Sequence, residues 1–195
     1  IPESRRQTKK KIYMYIIKMS PNFDVDSTTG VLTPNEAGAI TIGYSVSGSN
    51  ATITSFSPKD YSGALVLPTT LGGNNVTSIG SNAFEGAASL ASITIPEGVT
   101  SIGEGAFQYA TSLTSITIPA GVTSIRFGTF LYASSLTSVT FAEGSQLTSI
   151  GGFSFFAQNL RSISIPASVT SIADAAFFGI ARVTLPSPNG LNIAA

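Results

Sequence analysis

Along residues 90–185, apolar positions recur in the order L-x-x-I-x-I, and each run leads through a polar turn to a short V-T-S-I run and then a G-x-x-A-F run. The inward sets are Leu90, Ile93 and Ile95; Leu113, Ile116 and Ile118; Leu136, Val139 and Phe141; Leu160, Ile163 and Ile165; and Ile180, Val183 and Leu185. Alternation in β-branched residues predicts a short strand with one buried face. Pro96, Pro119, Pro166 and Pro186 follow four of these runs, where a residue without an amide donor ends the ladder, and Ala142 stands at the remaining one. V-T-S-I predicts a second extended piece. The G-x-x-A-F run, "GEGAF" in one copy, predicts a single helical or 3₁₀ turn.

The pattern has a period. An anchor Ile falls at Ile79, Ile102, Ile125, Ile150 and Ile172, and an anchor Phe at Phe84, Phe107, Phe130, Phe155 and Phe177, with successive steps of 23, 23, 25 and 22 residues in both series. The long step is a two-residue insertion in "FAEGSQL" (Phe141 to Leu147), and the short one a deletion in "FFAQNL" (Phe155 to Leu160). Such a period is the signature of a solenoid. One unit buries too few apolar side chains to offset the entropy of ordering it, so stability requires stacking into one continuous, quasi-one-dimensional core. Gly80, Gly103 and Gly151 align with Arg126 and Ala173, so a positive φ is not compulsory at that position.

"SLTSITIPAGVTSI" (Ser112 to Ile125) resembles, almost letter for letter, the BspA-like leucine-rich repeat, whose units read approximately LTSITIPxxVTSIGxxAFxxC. The resemblance is strong from Val76 to Pro186 and looser over "YSGALVLPTTLGGNNVTSIG" (Tyr61 to Gly80), which looks like that family's entry cap. Where the family often carries Cys, this chain has Ala87, Ala110 and Ala133, a mild exchange of one small apolar residue for another. The expected fold is a leucine-rich repeat solenoid, mainly β with short helical or 3₁₀ turns, a right-handed superhelix of parallel strands with an N-terminal β-hairpin cap. "AITIGYSVSGSNATITSFS" (Ala39 to Ser57) supplies the hairpin, and "FDVDSTTGVLT" (Phe23 to Thr33) reads as a further strand-turn-strand piece of the cap. The expected divisions are a disordered basic arm over 1–20, the β cap over 21–75, five repeats of about 23 residues over 76–186, and a tail over 187–195 without a recognisable cap. Ile at position 1 and the uncapped end read as a fragment or misread start of a longer protein. The apolar stretch of the arm, Ile12 to Ile17, is too short for an intact export signal or a membrane span and is interrupted by Lys18, so the arm reads as disordered, with a degraded export signal as the alternative.

Composition narrows the chemistry. The 195 residues contain no Cys and no His, so thiol nucleophiles, imidazole bases, disulfides and nearly all transition-metal sites are excluded. Charged residues make up 10 %, against roughly 25 % in ordinary soluble domains, leaving Ser, Thr and Gly to cover the surface. Net charge is zero, but Arg5, Arg6, Lys9, Lys10, Lys11 and Lys18 hold most of the positive charge, and the remainder is mildly acidic. No basic face for nucleic acid follows.

Glu85, Glu97, Glu104, Glu143 and Asp174 are dispersed over the repeats, in turns and near the G-x-x-A-F runs, and read as solvated surface rather than a glycosidase pair. "LGGNN" (Leu71 to Asn75) lacks the Lys-Ser/Thr of a phosphate loop, and Asp24 and Asp26 in "DVDSTTG" read as a turn rather than a calcium loop. "NAT" and "NVT", at Asn50 and Asn75, are glycosylation acceptors only in a eukaryotic secretory pathway. Tyr109, Tyr132, Phe127, Phe153, Phe156 and Phe178, additional to the anchor Phe series, are expected to fill gaps in the irregular units; exposed together they would form an apolar patch. The outward strand positions are the candidate binding face: Ser92, Ser115, Ser138 and Ser162 in one ladder, and Thr94, Thr117, Thr140, Ser164 and Thr184 in the next, with Arg161 and Arg182 as its charges. The reading is therefore a non-enzymatic module without cofactor, metal or membrane span. Resemblance to the family implies a cell-surface or secreted protein adhering to host, matrix or cell-surface proteins; a passive spacer and an ice-binding hydroxyl lattice are the alternatives.

Overall fold

The computed structural model describes residues 12–17, 40–185 and 192–193, the first and last of these by backbone alone. Alternating runs on either side of Gly48 form an antiparallel hairpin, β2 (Ile40–Ser47) with β3 (Asn50–Ser57), as the sequence predicts. On its outer edge lies β1 (Ile12–Ile17), antiparallel to β2, so the apolar stretch of the basic arm is a strand of the cap. The strand-turn-strand expected over Phe23 to Thr33 lies outside the described residues.

Each L-x-x-I-x-I run then yields one rung of a parallel stack: β4 (Gly63–Val66), β7 (Leu90–Thr94), β9 (Ser115–Ile118), β11 (Ser138–Phe141), β13 (Ser162–Ser164) and β15 (Arg182–Thr184). The V-T-S-I runs form a second stack, β6 (Asn74–Ile79), β8 (Ser101–Ile102), β10 (Ser124–Ile125), β12 (Ser149–Ile150) and β14 (Ser171–Ile172), in which β6 pairs with β8 and β10 with β12 and β14 but no ladder joins β8 to β10. β6 is reached through β5 (Thr70–Leu71) by a tight antiparallel turn at Gly72 and Gly73, both at positive φ, so "LGGNN" is a hairpin loop. β16 (Asn192–Ile193) pairs in parallel with β14 and places Ile193 beside Ile172, adding a rung to the second stack from within the tail.

Hydrophobic residues from both stacks and from the cap meet in one core running from Ile40 to Ala176. Its spine is a file of rings, Phe56, Phe84, Phe107, Phe130, Phe155 and Phe177, with successive centroids 5.2, 5.3, 5.5, 5.4 and 5.7 Å apart. The anchor Ile series is buried beside it. Phe56 of the hairpin heads the file, so the cap is continuous with the solenoid core.

No helix forms among the described residues, and the helical or 3₁₀ turn expected at G-x-x-A-F is instead a run of turns in which successive amides face opposite ways. The amides of Asn82, Phe84 and Gly86 donate to the next coil at Glu104, Ala106 and Gln108 (2.9, 2.8 and 2.8 Å), while those of Ala83, Glu85 and Ala87 turn back to Gly80, Asn82 and Phe84. This alternation needs a left-handed residue three positions after each anchor Ile: Asn82, Gly105, Gly128, Phe153 and Ala175 have φ between 52° and 60°. A helical turn here would leave its first amides without partners and forfeit this third coil-to-coil ladder.

Candidate functional site

The outward side chains of the first stack lie where their alternation with buried Ile93, Ile116 and Ile163 requires. Thr94, Ser115, Thr117, Ser138, Thr140, Ser162, Ser164 and Thr184 are exposed, and Ser92 is half-buried. Register brings together Ser92 with Ser115, Ser115 with Ser138, and Thr117 with Thr140, and farther along Ser162 with Arg182 and Ser164 with Thr184. The two hydroxyl ladders are nevertheless interrupted: strand pairing runs β4-β7-β9-β11 and separately β13-β15, so Ser138 does not pair with Ser162 nor Thr140 with Ser164. Arg182 lies in the Ser column, whereas Arg161 lies one residue before it, in line with Thr114 and Thr137. Val66, absent from the sequence reading, stands exposed beside Thr94 at the head of the Thr column; its signal was its place between buried Leu65 and Leu67.

Around the first stack, two populations of hydroxyl stand out. One ties coils together. Thr114 and Thr137 donate to the carbonyls of Ala91 and Thr114 at 3.3 and 3.1 Å, and Thr100, Thr148 and Thr170 to those of Thr77, Thr123 and Thr148 at 3.4, 3.0 and 3.3 Å. On the turn side Thr111 donates to Ala88 and the Asn159 amide to Ser134, at 3.2 and 2.8 Å. The other population is the outward face, where Thr94, Ser115, Thr117, Ser138, Thr140, Ser162, Ser164 and Thr184 make no hydrogen bond to any described protein group through their side chains. Each of these hydroxyls keeps a donor and two acceptor positions for solvent or a ligand.

The additional aromatics overturn the gap-filling expectation. Tyr109, Tyr132, Phe127, Phe153 and Phe178 are between 40 % and 60 % exposed. They touch one another from coil to coil: Tyr109 stacks on Tyr132 at 5.1 Å, Tyr132 meets Phe156 edge to face at 5.1 Å, and Phe156 is tilted against Phe178 at 5.3 Å, with Phe127 against Phe153 at 5.9 Å. Their position explains this. Tyr109 and Tyr132 share the left-handed turn site of Gly86 and Gly179, with φ of 57° and 60°, and a side chain there leaves the core. Only Tyr109 and Tyr132 meet face to face, whereas Tyr132 with Phe156 and Phe127 with Phe153 meet edge to face.

Charged groups do not converge. Glu85, Glu97, Glu104, Glu143 and Asp174 are all exposed, and among the described residues no group of three or more acidic side chains is placed to hold a metal ion. Partial burial pushes the Lys59 ammonium below its usual range, opposed by the nearby Glu85 carboxylate. Asp24 and Asp26 lie outside the described residues. Asn50 and Asn75 are exposed and adjacent in the β3–β6 register. Among the described residues no helix is long and apolar enough to cross a membrane.

Parallel rungs, a ring file and a second V-T-S-I stack define a solenoid of the leucine-rich repeat class. The chain belongs to the BspA type leucine-rich repeat family, whose repeat region matches residues 63–184 in six copies. The first copy begins at β4, one unit earlier than the anchor Ile series alone marks. Among solved structures, the chain is similar to a leucine-rich repeat protein of T. pallidum (31 % identity, 72 % of this chain and 66 % of that one, TM-score 0.65). It is also similar to a leucine-rich repeat protein of Bacteroides ovatus (29 % identity, 74 % of this chain and 40 % of that one, TM-score 0.63). The pneumococcal vaccine antigen PcpA shares the fold at 20 % identity (77 % of this chain and 49 % of that one, TM-score 0.55). The chain thus spans less than two thirds of the length of the B. ovatus and pneumococcal proteins and 66 % of the T. pallidum one. None of the curated proteins matches it.

Proposed function

We propose that the chain is a non-enzymatic binding module, displayed on a cell surface or secreted, that adheres to a protein of a host, a matrix or another cell through the hydroxyl face of its first strand stack. The observation that carries this reading is the division of hydroxyls: threonines beside the face are consumed in coil-to-coil bonds, whereas those of the face are exposed and unbonded. A flat array of short, conformationally restricted donors and acceptors loses little side-chain entropy on contact. Membership of a repeat family whose general role is protein interaction supports the class of ligand. Arg161 and Arg182, both exposed, supply steering charge at the C-terminal end.

The test immobilises the chain and titrates purified extracellular-matrix proteins over it, with Thr117→Arg as the face variant. Thr117 is exposed at mid-face and its replacement leaves the core untouched. Capture should weaken at least about tenfold, or 1.4 kcal/mol. Arg182→Ala should slow association and flatten its salt dependence. Binding that is indifferent to Thr117→Arg would rule out this face, and binding to no matrix protein would leave the spacer reading.

A further inference from the structure

We propose that Tyr109 and Tyr132 form an oxidative cross-linking site, at which a haem peroxidase and hydrogen peroxide join the two rings into a dityrosine that staples one coil to the next. The site lies on the turn side of the solenoid and is independent of the strand face.

The composition singles out tyrosine. Cys, His and Trp are absent from the chain, so tyrosine is the principal side chain open to one-electron oxidation. Among the described side chains, Tyr44 is buried, and Tyr61 donates its hydroxyl to the Ala64 carbonyl at 3.1 Å and sets its ring edge-on to Phe56. Tyr109 and Tyr132 are 43 % and 40 % exposed, and their hydroxyls make no hydrogen bond to any described protein group. Both stand at the left-handed site that Gly86 and Gly179 fill in other coils, where a bulky side chain is strained. The strain is not repaid by burial in the core. It brings two phenols together at the surface.

The ring centroids are 5.1 Å apart and the planes within 12° of parallel. Coil-to-coil bonds hold this register, the amides of Phe107 and Tyr109 donating to Thr129 and Leu131 at 2.9 Å each. Stacked in this way, the Cε carbons beside one phenol oxygen lie next to those of the other ring. Coupling requires the rings to pivot from stacked to edge-on. The far side of Tyr109 leaves room for this, because Gly86 occupies the equivalent site in the preceding coil and even a Cβ there would meet nothing within 4 Å. On the far side of Tyr132 stands Phe156, which has no phenol to oxidise, so the reactive group is a pair.

The chemistry balances. The peroxidase takes one electron and one proton from each phenol. The two phenoxyl radicals couple through a new Cε–Cε bond, and each of these carbons passes its hydrogen to its own ring oxygen as aromaticity returns. Hydrogen peroxide accepts the two electrons and two protons and becomes two waters, so the chain loses two hydrogens and gains one carbon–carbon bond.

The bond falls where the second stack lacks one of its joints. β8 and β10 lie side by side without a ladder. At neighbouring joints the amides of Gly103 and Gly151 donate to Ile79 and Ile125 at 2.8 and 2.7 Å, and Thr100 and Thr148 reach Thr77 and Thr123 through both amide and hydroxyl. Arg126 makes no such bond to Ile102, nor Thr123 to Thr100. A dityrosine supplies a covalent tie between these same two coils.

The full chain in dilute solution is treated with a haem peroxidase and one equivalent of hydrogen peroxide, and monomer is separated from covalent dimer. Trypsin cuts at Arg126, between the two tyrosines, and residues 127–161 contain Tyr132 alone. Peptides 60–126 and 127–161 should be recovered from the monomer as one cross-linked species, two hydrogens lighter than their sum, with dityrosine fluorescence. Tyr109→Phe and Tyr132→Phe, which keep a ring in the stack, should each remove it. In the purified cross-linked monomer Tm should rise by at least about 4 °C, because a link one repeat long restricts the unfolded chain as a disulfide does. Absence of the cross-linked species, its persistence in Tyr109→Phe, its confinement to covalent dimers, or an unchanged Tm would each overturn the staple. None of these outcomes bears on capture through Thr117, so the strand face stands or falls separately.

Discussion

At the level of single residues, the left-handed site three positions after each anchor Ile shows how little side-chain identity the coil demands and how much backbone it demands. Asn82, Gly105, Gly128, Phe153 and Ala175 share one conformation although four residue types fill it. An Ala at that φ is strained by roughly 1–2 kcal/mol, partly offset by the lower entropy of its unfolded chain relative to Gly. Ala175→Gly should therefore stabilise the protein by about 0.5–1 kcal/mol, read as a rise of ~1–4 °C in Tm. Gly105→Ala is the opposite case, because φ is +58° and the new Cβ would run into Asn82 Oδ1. It should lose about 1–2 kcal/mol in urea unfolding. Equal and small effects in both would mean that the turn relaxes freely. Residue type also misled the sequence reading of the aromatics. Hydrophobicity places Tyr109 and Tyr132 inside, yet both occupy the site of Gly86 and Gly179, and that recurrence of Gly was the readable sign of an outward turn.

At the level of elements, the ring file is a set of nearly equal contacts whose ends differ from its middle. Phe107 is fully buried between Phe84 and Phe130, stacked on both within 5.5 Å, whereas Phe177 is half-buried with a single ring neighbour in the file, Phe155 at 5.7 Å. Phe107→Ala should cost about 3–5 kcal/mol, the range for a deeply buried ring that leaves a cavity. Phe177→Ala should cost less than half as much, and the adjacent Phe178→Ser, at 60 % exposure, about 0.5 kcal/mol or less. Denaturant midpoints of the three variants order them directly; equal losses for Phe107 and Phe177 would mean that the last coil is covered as well as the middle ones. The file was legible beforehand, because residues at one phase of a fixed period must superpose once the coils stack. The turns were not. A G-x-x-A-F run is compatible with a 3₁₀ turn locally, and only the next coil, offering carbonyls such as Glu104 and Ala106 at hydrogen-bond distance, makes the alternating arrangement better.

At the level of the molecule, the same indels that look harmless in the sequence divide the first stack. An insertion after Phe141 and a deletion before Leu160 each fall between anchors, so the Ile and Phe series continue past them, and nothing in the spacing alone reports that the rungs between, though still side by side, lack a hydrogen-bonded ladder. Arg161 in a Thr column was the readable sign. Stability of a stacked array is a sum of coil terms and nearest-neighbour terms, and the term across the break lacks the strand ladder, the Arg161 amide bond and the threonine tie. Opening should therefore begin there, releasing β13 and β15 together while β7, β9 and β11 stay paired. Hydrogen exchange should show a step, with amides of residues 162–184 exchanging at least about tenfold faster than those of 90–118, rather than a smooth decline toward the C-terminal end. Arg161→Thr supplies a hydroxyl where Thr137 uses one to reach Thr114 at 3.1 Å. One such bond, worth about 0.5–1.5 kcal/mol net, should raise protection of β13 and β15 by about two- to tenfold and leave β7 and β9 unchanged. Uniform protection across residues 90–184, or a gain spread evenly over the chain in Arg161→Thr, would mean that the coils on either side of the break unfold as one unit.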